Sequence, residues 1–296
     1  MNKTKLKSLL TLFGKLLGVL GLVFVFYTLS QEYTLSSFSQ QFILFIDILP
    51  LLMLLNILSI LIGIYAWQKM LQHYASSPLD YITAYYYFSK TEIAKYLPGN
   101  IFHFIGRQVL SSKIGISQPQ MLKISLLFSL LLLTGTILTS SIFAFLSLEI
   151  TNIILSLMAL ATLISMGILF YLYPSFPLKK KLSLNISLAL SISMQGLMLG
   201  FIVMYQNENL SLSIFFLCVS IYTLSWLIGF VTPGASGGLG VREGAFIALL
   251  SYLALDISSE SIVFSILLVR LINILVDVLL YLSTFMIKNK IKEVKI

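Results

Sequence analysis

The chain has 296 residues, of which 58% are hydrophobic and only 10% are charged, and its mean hydropathy is +0.98. This composition excludes a soluble globular domain and indicates a polytopic membrane protein. The formal net charge of +8 does not indicate nucleic-acid binding. The lysines cluster beside apolar runs, where the positive-inside rule and anionic lipid headgroups account for them.

Long apolar runs predict the membrane-spanning helices, since about 20 residues are needed to cross the hydrocarbon core. The first run is expected to be a retained helix, because it is longer than a signal-peptide core and lacks a small-residue cleavage site. Two further regions, 81–115 and 233–254, are ambiguous. The seven predicted spans are residues 9–28, 42–67, 122–146, 153–173, 184–205, 210–231 and 261–287.

The distribution of basic residues between the spans predicts the orientation. The segments richest in lysine and arginine, which include both termini, face the cytoplasm by the positive-inside rule. We therefore expect a multi-pass protein of the plasma or inner membrane with both termini in the cytoplasm. The loops assigned to the opposite side contain no lysine or arginine; they are residues 31–41, 147–152, 206–209 and 256–260.

The same orientation constrains the two ambiguous regions. Residues 68–121 start and finish inside, so we expect residues 81–107 to form a re-entrant hairpin. Residues 233–254 have to cross, yet the helix after Arg242 has about 14 residues, or about 21 Å, which is short of a core of about 30 Å. A glycine-rich loop is expected to complete this broken crossing.

The predicted fold is an all-α polytopic membrane protein with about seven to eight transmembrane helices, a re-entrant hairpin and a glycine-broken helix. A single integral membrane domain over residues 1–296 is expected, with no soluble domain. Pro98 and Pro233 each begin a Pro-Gly pair that is followed, nine residues after the proline, by an arginine. Two related halves, which are common in transporters, would explain this repeated motif. The equal spacing is also compatible with coincidence.

The second Pro-Gly segment has the features of an anion site. Gly238 and Gly240 permit positive φ angles, and the helix that starts near Val241 presents unpaired N–H groups. Arg242 adds a planar fork of donors suited to phosphate. The alternative is that the glycines only allow tight packing while Arg242 reaches the interface. Glu243 either neutralises a basic residue elsewhere, couples protons, or simply favours the helix N-terminus.

The first Pro-Gly segment, around Pro98 and Gly99, is also expected to break a helix beside cationic groups. Asn100 is suited to cap the next helix, on which His103 and Arg107 share a face. A lone histidine is a poor metal site, so a hydrogen-bonded interior histidine is expected and no metal is predicted. Lys95 is interpreted as a possible interfacial lysine.

The last predicted span carries a polar stripe of Arg270, Asn273 and Asp277, spaced three and four residues apart. Charges within the hydrocarbon are costly, so this stripe is expected to face the interior of the bundle. Arg270 and Asp277 are two turns apart, which requires partners on other helices. A purely structural polar network is the alternative to a functional one. The candidate partners are Asp47, Asn56 and Gln195.

The sequence contains no recognisable catalytic motif. A P-loop, H-E-x-x-H, C-x-x-C and G-x-S-x-G are all absent, and Cys218 is the only cysteine. We therefore predict no catalytic residue and no cofactor, and we do not expect an enzyme.

Two segments, 95–100 (KYLPGN) continuing to Gly106-Arg107, and 237–243 (GGLGVRE), resemble the lysylphosphatidylglycerol synthase transmembrane-domain family. The similarity in length and hydropathy extends over nearly the whole chain. The resemblance implies a lipid translocase that moves a lipid with an anionic or modified headgroup between leaflets. The soluble aminoacyl-transfer domain of the bifunctional family members has no counterpart in this sequence. The resemblance places Pro98, Gly99, Arg107, Gly238, Gly240, Arg242 and Glu243 at a central site.

The expected function is a flippase for a phospholipid or a polyprenyl-phosphate-linked lipid whose headgroup binds at interrupted helix ends. A membrane transferase that acts on a lipid phosphate is one alternative. Another is a non-catalytic membrane partner of a separate synthase or glycosyltransferase. The predicted substrate-binding residues are Pro98, Gly99, Asn100, His103, Arg107, Gly238, Gly240, Arg242, Glu243, Arg270 and Asp277.

Overall fold

A computed structural model describes residues 35–75, 78–96, 102–174, 176–207, 209–232, 238, 240–253 and 257–291. This part of the chain forms ten α-helices and no strand, which confirms the all-α class. In chain order they are α1 (Leu35–Leu44), α2 (Leu49–Tyr74), α3 (Tyr81–Glu92), α4 (Phe102–Leu110), α5 (Gln118–Ser147), α6 (Asn152–Leu172), α7 (Leu178–Gln206), α8 (Leu212–Val231), α9 (Val241–Tyr252) and α10 (Ser259–Ile287).

Six of these helices, α2, α5, α6, α7, α8 and α10, are long and apolar enough to cross a membrane, so the chain is a multi-pass membrane protein. They correspond to six of the seven predicted spans. The remaining predicted span, residues 9–28, lies outside the described residues.

The predicted span over residues 42–67 is wrong at both ends. α1 occupies part of the predicted loop 31–41 and ends at Leu44, turns follow, and α2 begins at Leu49. Pro50 lies in the first turn of α2, where its missing N–H leaves no helical hydrogen bond unmade. α2 continues to Tyr74, where the Gln68 and Gln72 side chains donate to the carbonyl of Leu79.

Helices α3 and α4 pack against each other as a hairpin, at the position where the sequence predicts a re-entrant one. Gly106 of α4 packs so closely on α3 that an added Cβ would lie 3.1 Å from Thr91 Cγ2. The hairpin follows α10 backward from the C-terminal end of that helix, since Tyr85 hydrogen-bonds to Ser283 and Tyr96 to Asp277. Ten residues, or about 15 Å along the helix, separate Asp277 from the end of α10.

The chain after α8 is the region predicted to make a broken crossing. Gly238 has a φ of +73° and lies against Gly229, where a Cβ on Gly238 would be 3.2 Å from the Gly229 Cα. α9 then runs back beside α8 for 12 residues, about 18 Å. α10 begins beside the end of α7, since Asn207 donates to Ser261. The chain from Gly238 to Ser261 therefore returns along the length of α8, and a helix shorter than a full span makes most of the passage.

Small residues bring the long helices close together around the cavity described below. Ser140 and Ser220 hydrogen-bond across α5 and α8, and Ser59 and Ser191 do so across α2 and α7. Gly135 packs on the backbone of α7, where an added Cβ would lie 3.1 Å from a main-chain nitrogen. Close backbone approach through small residues is the usual means of helix association in membranes.

Candidate functional site

A cavity of about 1300 Å³, counting its open mouth, lies between the long helices and the two broken segments. Its wall is largely apolar and aromatic, but it also contains charged side chains contributed by both Pro-Gly segments and by α10. The charged lining residues are Glu92, Lys95, Arg107, Arg242, Arg270 and Asp277.

The structure brings most of the predicted site residues together at this cavity. Glu243 does not line the cavity itself but forms ion pairs with two arginines that do. The predicted residues that line the cavity are His103, Arg107, Gly238, Arg242, Arg270 and Asp277. Gly240, with a φ of +76°, forms the turn that starts α9 and so aims Arg242 at the cavity. Pro98, Gly99 and Asn100 lie outside the described residues.

The tip of the hairpin meets α10 in a group of four charges, Glu92, Lys95, Arg107 and Asp277, which we call the hairpin cluster. Lys95 Nζ lies 2.8 Å from Asp277 Oδ2 and 3.3 Å from Glu92 Oε1. Arg107 Nη2 lies 2.8 Å from Glu92 Oε2. Tyr96 donates its hydroxyl to Asp277 Oδ2 at 2.6 Å. The cluster therefore joins both arms of the hairpin to α10 and contains two positive and two negative groups.

Aromatic rings surround the Arg107 guanidinium. Its central carbon lies 4.5 Å from the ring centre of Phe88 and 5.5 Å from those of Trp67 and Phe128, and Phe104 lies at 5.9 Å. The residue is only 3% exposed. Cation–π attraction and the Glu92 ion pair thus act together on a guanidinium that the sequence assigned to a phosphate.

The N-terminus of α9 and the middle of α10 contribute a second charged group. It consists of two arginines, Arg242 and Arg270, which we call the arginine pair, and the carboxylate of Glu243. Glu243 Oε1 lies 3.1 Å from Arg270 Nη1 and 3.7 Å from Arg242 Nη2. The Tyr222 ring centre lies 5.9 Å from the Arg242 guanidinium carbon. Glu243 therefore neutralises a residue on another helix, which was one of its three predicted roles.

Three amide side chains, Asn56, Gln195 and Asn273, separate the two charged groups, and we call them the amide cluster. Asn56 donates to Asn273, and Gln195 donates to the side chains of both Asn56 and Ser59 at 3.2 Å. These contacts confirm Asn56 and Gln195 as partners of the α10 stripe. Asp47 is not among its partners, because it is exposed in the turn before α2 and does not line the cavity.

The described charges of the site do not cancel. Four cationic side chains face three carboxylates, which leaves a formal charge of +1 when His103 is counted as neutral. The surplus lies at the arginine pair, since the hairpin cluster is balanced. The undescribed residues that adjoin the two motifs in sequence, 97–101, 233–237 and 239, contain no charged residue.

Three features of the site were not predicted from the sequence. Glu92 was not singled out, although its spacing of three residues from Lys95 is typical of a helical ion pair. Lys95 lines the cavity and is no simple interfacial lysine. His103 is buried as expected, but its Nδ1 has no hydrogen-bond partner within the described part of the chain.

Comparison with known proteins does not identify the chain. No protein-family model matches the sequence, and no curated protein matches it. Within the described ranges, no group of three or more His, Cys, Asp and Glu side chains is arranged to hold a metal ion. A function has to be argued from the cavity itself.

Proposed function

We propose that the protein is a lipid translocase (flippase) that binds the anionic headgroup of a phospholipid or polyprenyl-phosphate lipid in the cavity. The observation that supports this proposal is a pair of arginines, Arg242 and Arg270, that share one carboxylate oxygen of Glu243 inside a cavity walled by apolar helices. The family resemblance of the two Pro-Gly segments implies the same activity.

The physical argument concerns the cost of a buried charge. An unpaired ion removed from water is strongly disfavoured unless a partner neutralises it. Arg242 and Arg270 share one oxygen of Glu243, so an additional anion between them would restore neutrality. Guanidinium groups bind phosphate oxygens through paired donors, and the first turn of α9 offers N–H groups at the same point. The apolar outer surfaces of the spanning helices would leave the lipid chains in the bilayer.

The proposal includes an orientation. The N- and C-termini lie in the cytoplasm of a cell whose plasma or inner membrane contains the protein, as the lysine clusters suggest. The hairpin then enters the membrane from the cytoplasmic side, because it follows α10 from its C-terminal end. The headgroup would reach the arginine pair past the hairpin tip.

The experiment that tests the proposal is lipid transfer in proteoliposomes. Vesicles that contain the protein and a fluorescent anionic phospholipid are treated with a membrane-impermeant quencher, and the fraction of protected label is followed in time. We expect the label to exchange between leaflets faster than in protein-free vesicles, with its chemical structure unchanged.

Other outcomes distinguish the alternatives. A new covalent lipid product, detected by mass spectrometry, would favour a membrane transferase. Exchange no faster than in protein-free vesicles, together with copurification of a synthase or glycosyltransferase, would favour a non-catalytic partner. Either result would refute the translocase.

A further inference from the structure

We propose that His103 is a proton-binding site of the cavity, and that the lipid phosphate and one proton cross the membrane together. This inference rests on the proposed function and names the ion gradient that drives it. Three observations support it: the unpartnered nitrogen of the His103 imidazole, the charges that face this ring, and its place beside the route of the headgroup.

The His103 imidazole is a buried polar group that lacks a partner at one nitrogen. The residue lies on α4, lines the cavity and is 7% exposed. Within the described part of the chain, its buried Nδ1 has no hydrogen-bond partner. The protonation state of a histidine is often fixed by a carbonyl or carboxylate bonded to one ring nitrogen. Among the described residues no such bond fixes Nδ1 of His103, so the ring is available to take up a second proton.

The charged groups that face this imidazole keep it neutral in the lipid-free cavity. They are Glu92 on α3, Lys95 in the turn after α3, and Arg107 on α4 itself. Glu92 already pairs with both of these cations, at 3.3 and 2.8 Å. The short helical turn after α4 and helix α5 also pack on α4, and their charged residues, Lys113 and Lys123, are exposed. A proton on the ring would add a third positive charge beside a single carboxylate, which is unfavourable.

A lipid phosphate in the cavity reverses this preference. The proposed route takes the headgroup past the hairpin tip, and His103 stands one turn of α4 before Arg107 at that tip. An anion beside an imidazole favours the protonated ring, so the phosphate and the proton bind better together than alone. The linkage is reciprocal, since a proton on His103 strengthens phosphate binding by the same factor.

The proton follows the lipid through a complete cycle. His103 takes it from water on the side where the headgroup enters and returns it to water on the side where the headgroup leaves. A monoanionic phosphate and one proton together carry no net charge, so a pH gradient moves the lipid and a membrane potential does not. The lipid therefore accumulates in the leaflet on the alkaline side.

The test follows a fluorescent phosphatidylglycerol in proteoliposomes across an imposed pH gradient. Valinomycin and equal potassium on both sides remove any membrane potential. At equilibrium we expect the wild type to shift the ratio of label between the leaflets about tenfold for each pH unit, toward the alkaline side. This ratio is an equilibrium quantity, so it does not depend on how fast a variant exchanges lipid.

The chain offers a matched pair of variants, because it has two histidines. His103→Gln has a side chain of similar size that cannot carry a proton, so the gradient should no longer shift its label ratio. His73→Gln should keep the wild-type shift. This second histidine lies in the last turn of α2 against the Phe176 ring and does not line the cavity.

The two variants also allow proton binding to be measured without transport. In the His73→Gln variant His103 is the only imidazole, and its titration can be followed by NMR of isotope-labelled histidine in lipid nanodiscs. Replacing phosphatidylcholine by phosphatidylglycerol should move its titration midpoint up by about one pH unit. The His103→Gln variant, in which only His73 titrates, reports the smaller shift that the charge of the bilayer surface causes.

Four results separate this inference from the proposed function. Exchange no faster than in protein-free vesicles would refute the translocase and the proton site with it. Exchange by the wild type that ignores the pH gradient would refute the proton site alone, even if His103→Gln does not fold. So would a His103→Gln variant that exchanges lipid and keeps the full shift. A titration of His103 that moves no more than that of His73 would also refute it.

Discussion

The two Pro-Gly segments look alike in sequence, but the structure uses their arginines in different ways. Arg107 has Glu92 at 2.8 Å and four aromatic rings within 6 Å. Arg242 has one carboxylate at 3.7 Å, which it shares with the nearer Arg270. The first arginine is paired with a carboxylate of its own, whereas the second shares a carboxylate with another arginine.

The two arginines differ because their partner carboxylates come from different places in the chain. Glu92 stands on the opposite arm of the hairpin from Arg107, so their pairing holds the two arms together. Glu243 directly follows Arg242 and turns toward another helix. A repeated sequence motif therefore does not define a repeated role. We expect Arg107 to be a positioning residue and Arg242 to be a ligand of the lipid phosphate.

The largest expected effect is on stability, from Arg107→Ala. This change leaves the half-buried Glu92 with Lys95 as its remaining charge partner, and it removes the guanidinium from among the aromatic rings that surround it. Breaking a buried pair typically costs about 3–5 kcal/mol, so the thermal midpoint in detergent should fall strongly. A variant with wild-type thermal stability but no lipid transfer would show that Arg107 is a ligand after all, and the comparison would fail.

The next effect is on transfer, from Arg242→Ala. The change leaves Glu243 and Arg270 as a balanced pair, so the fold should persist while the surplus charge disappears. We expect the exchange rate of an anionic lipid to fall by about tenfold to a hundredfold, the effect of one or two charged hydrogen bonds. Lys113→Ala, at an exposed position near the hairpin base, is the matched control and should transfer lipid normally. Normal transfer by Arg242→Ala would refute the phosphate site.

A smaller effect is expected from Asp277→Asn, which should make the two charged groups more alike. Loss of this carboxylate leaves Lys95 with Glu92 and raises the formal charge of the cavity from +1 to +2. Selection should shift toward doubly charged phosphate monoesters, by about threefold to tenfold in relative exchange rate. An unchanged ratio between monoester and diester lipids would argue that charge balance does not set selectivity.

The smallest effect is expected from two cysteine variants that report the topology. They should differ in the side of the membrane from which they can be labelled, while their lipid transfer stays the same. A hairpin returns to its own side of the membrane and a crossing does not. Ser258→Cys should therefore react with an impermeant thiol reagent from outside only, and Lys113→Cys from inside only. Buried Cys218 should stay unlabelled and serve as an internal control. Labelling of both positions from one side would show that residues 233–254 re-enter instead of crossing.

The sequence by itself determined the local features of the molecule. Apolar length predicts the spanning helices, glycine and proline predict where helices break, and a spacing of three and four residues places Arg270, Asn273 and Asp277 on one face. These properties depend on neighbours along the chain. Even so, α2 begins at Leu49 and not at residue 42, where the sequence predicts the start of the span. A short turn and Pro50 interrupt the apolar run, and hydropathy does not detect this interruption.

The tertiary structure decided which charges meet. Lys95 and Asp277 are far apart in sequence, and the pairing of Glu243 with Arg270 requires α9 to pack back toward α10. Hydropathy and periodicity carry no information about such contacts, so Glu92 was overlooked and Asp47 was wrongly offered as a partner. The distribution of the surplus charge follows from helix packing. That distribution separates two arginines which the sequence presents as equivalent.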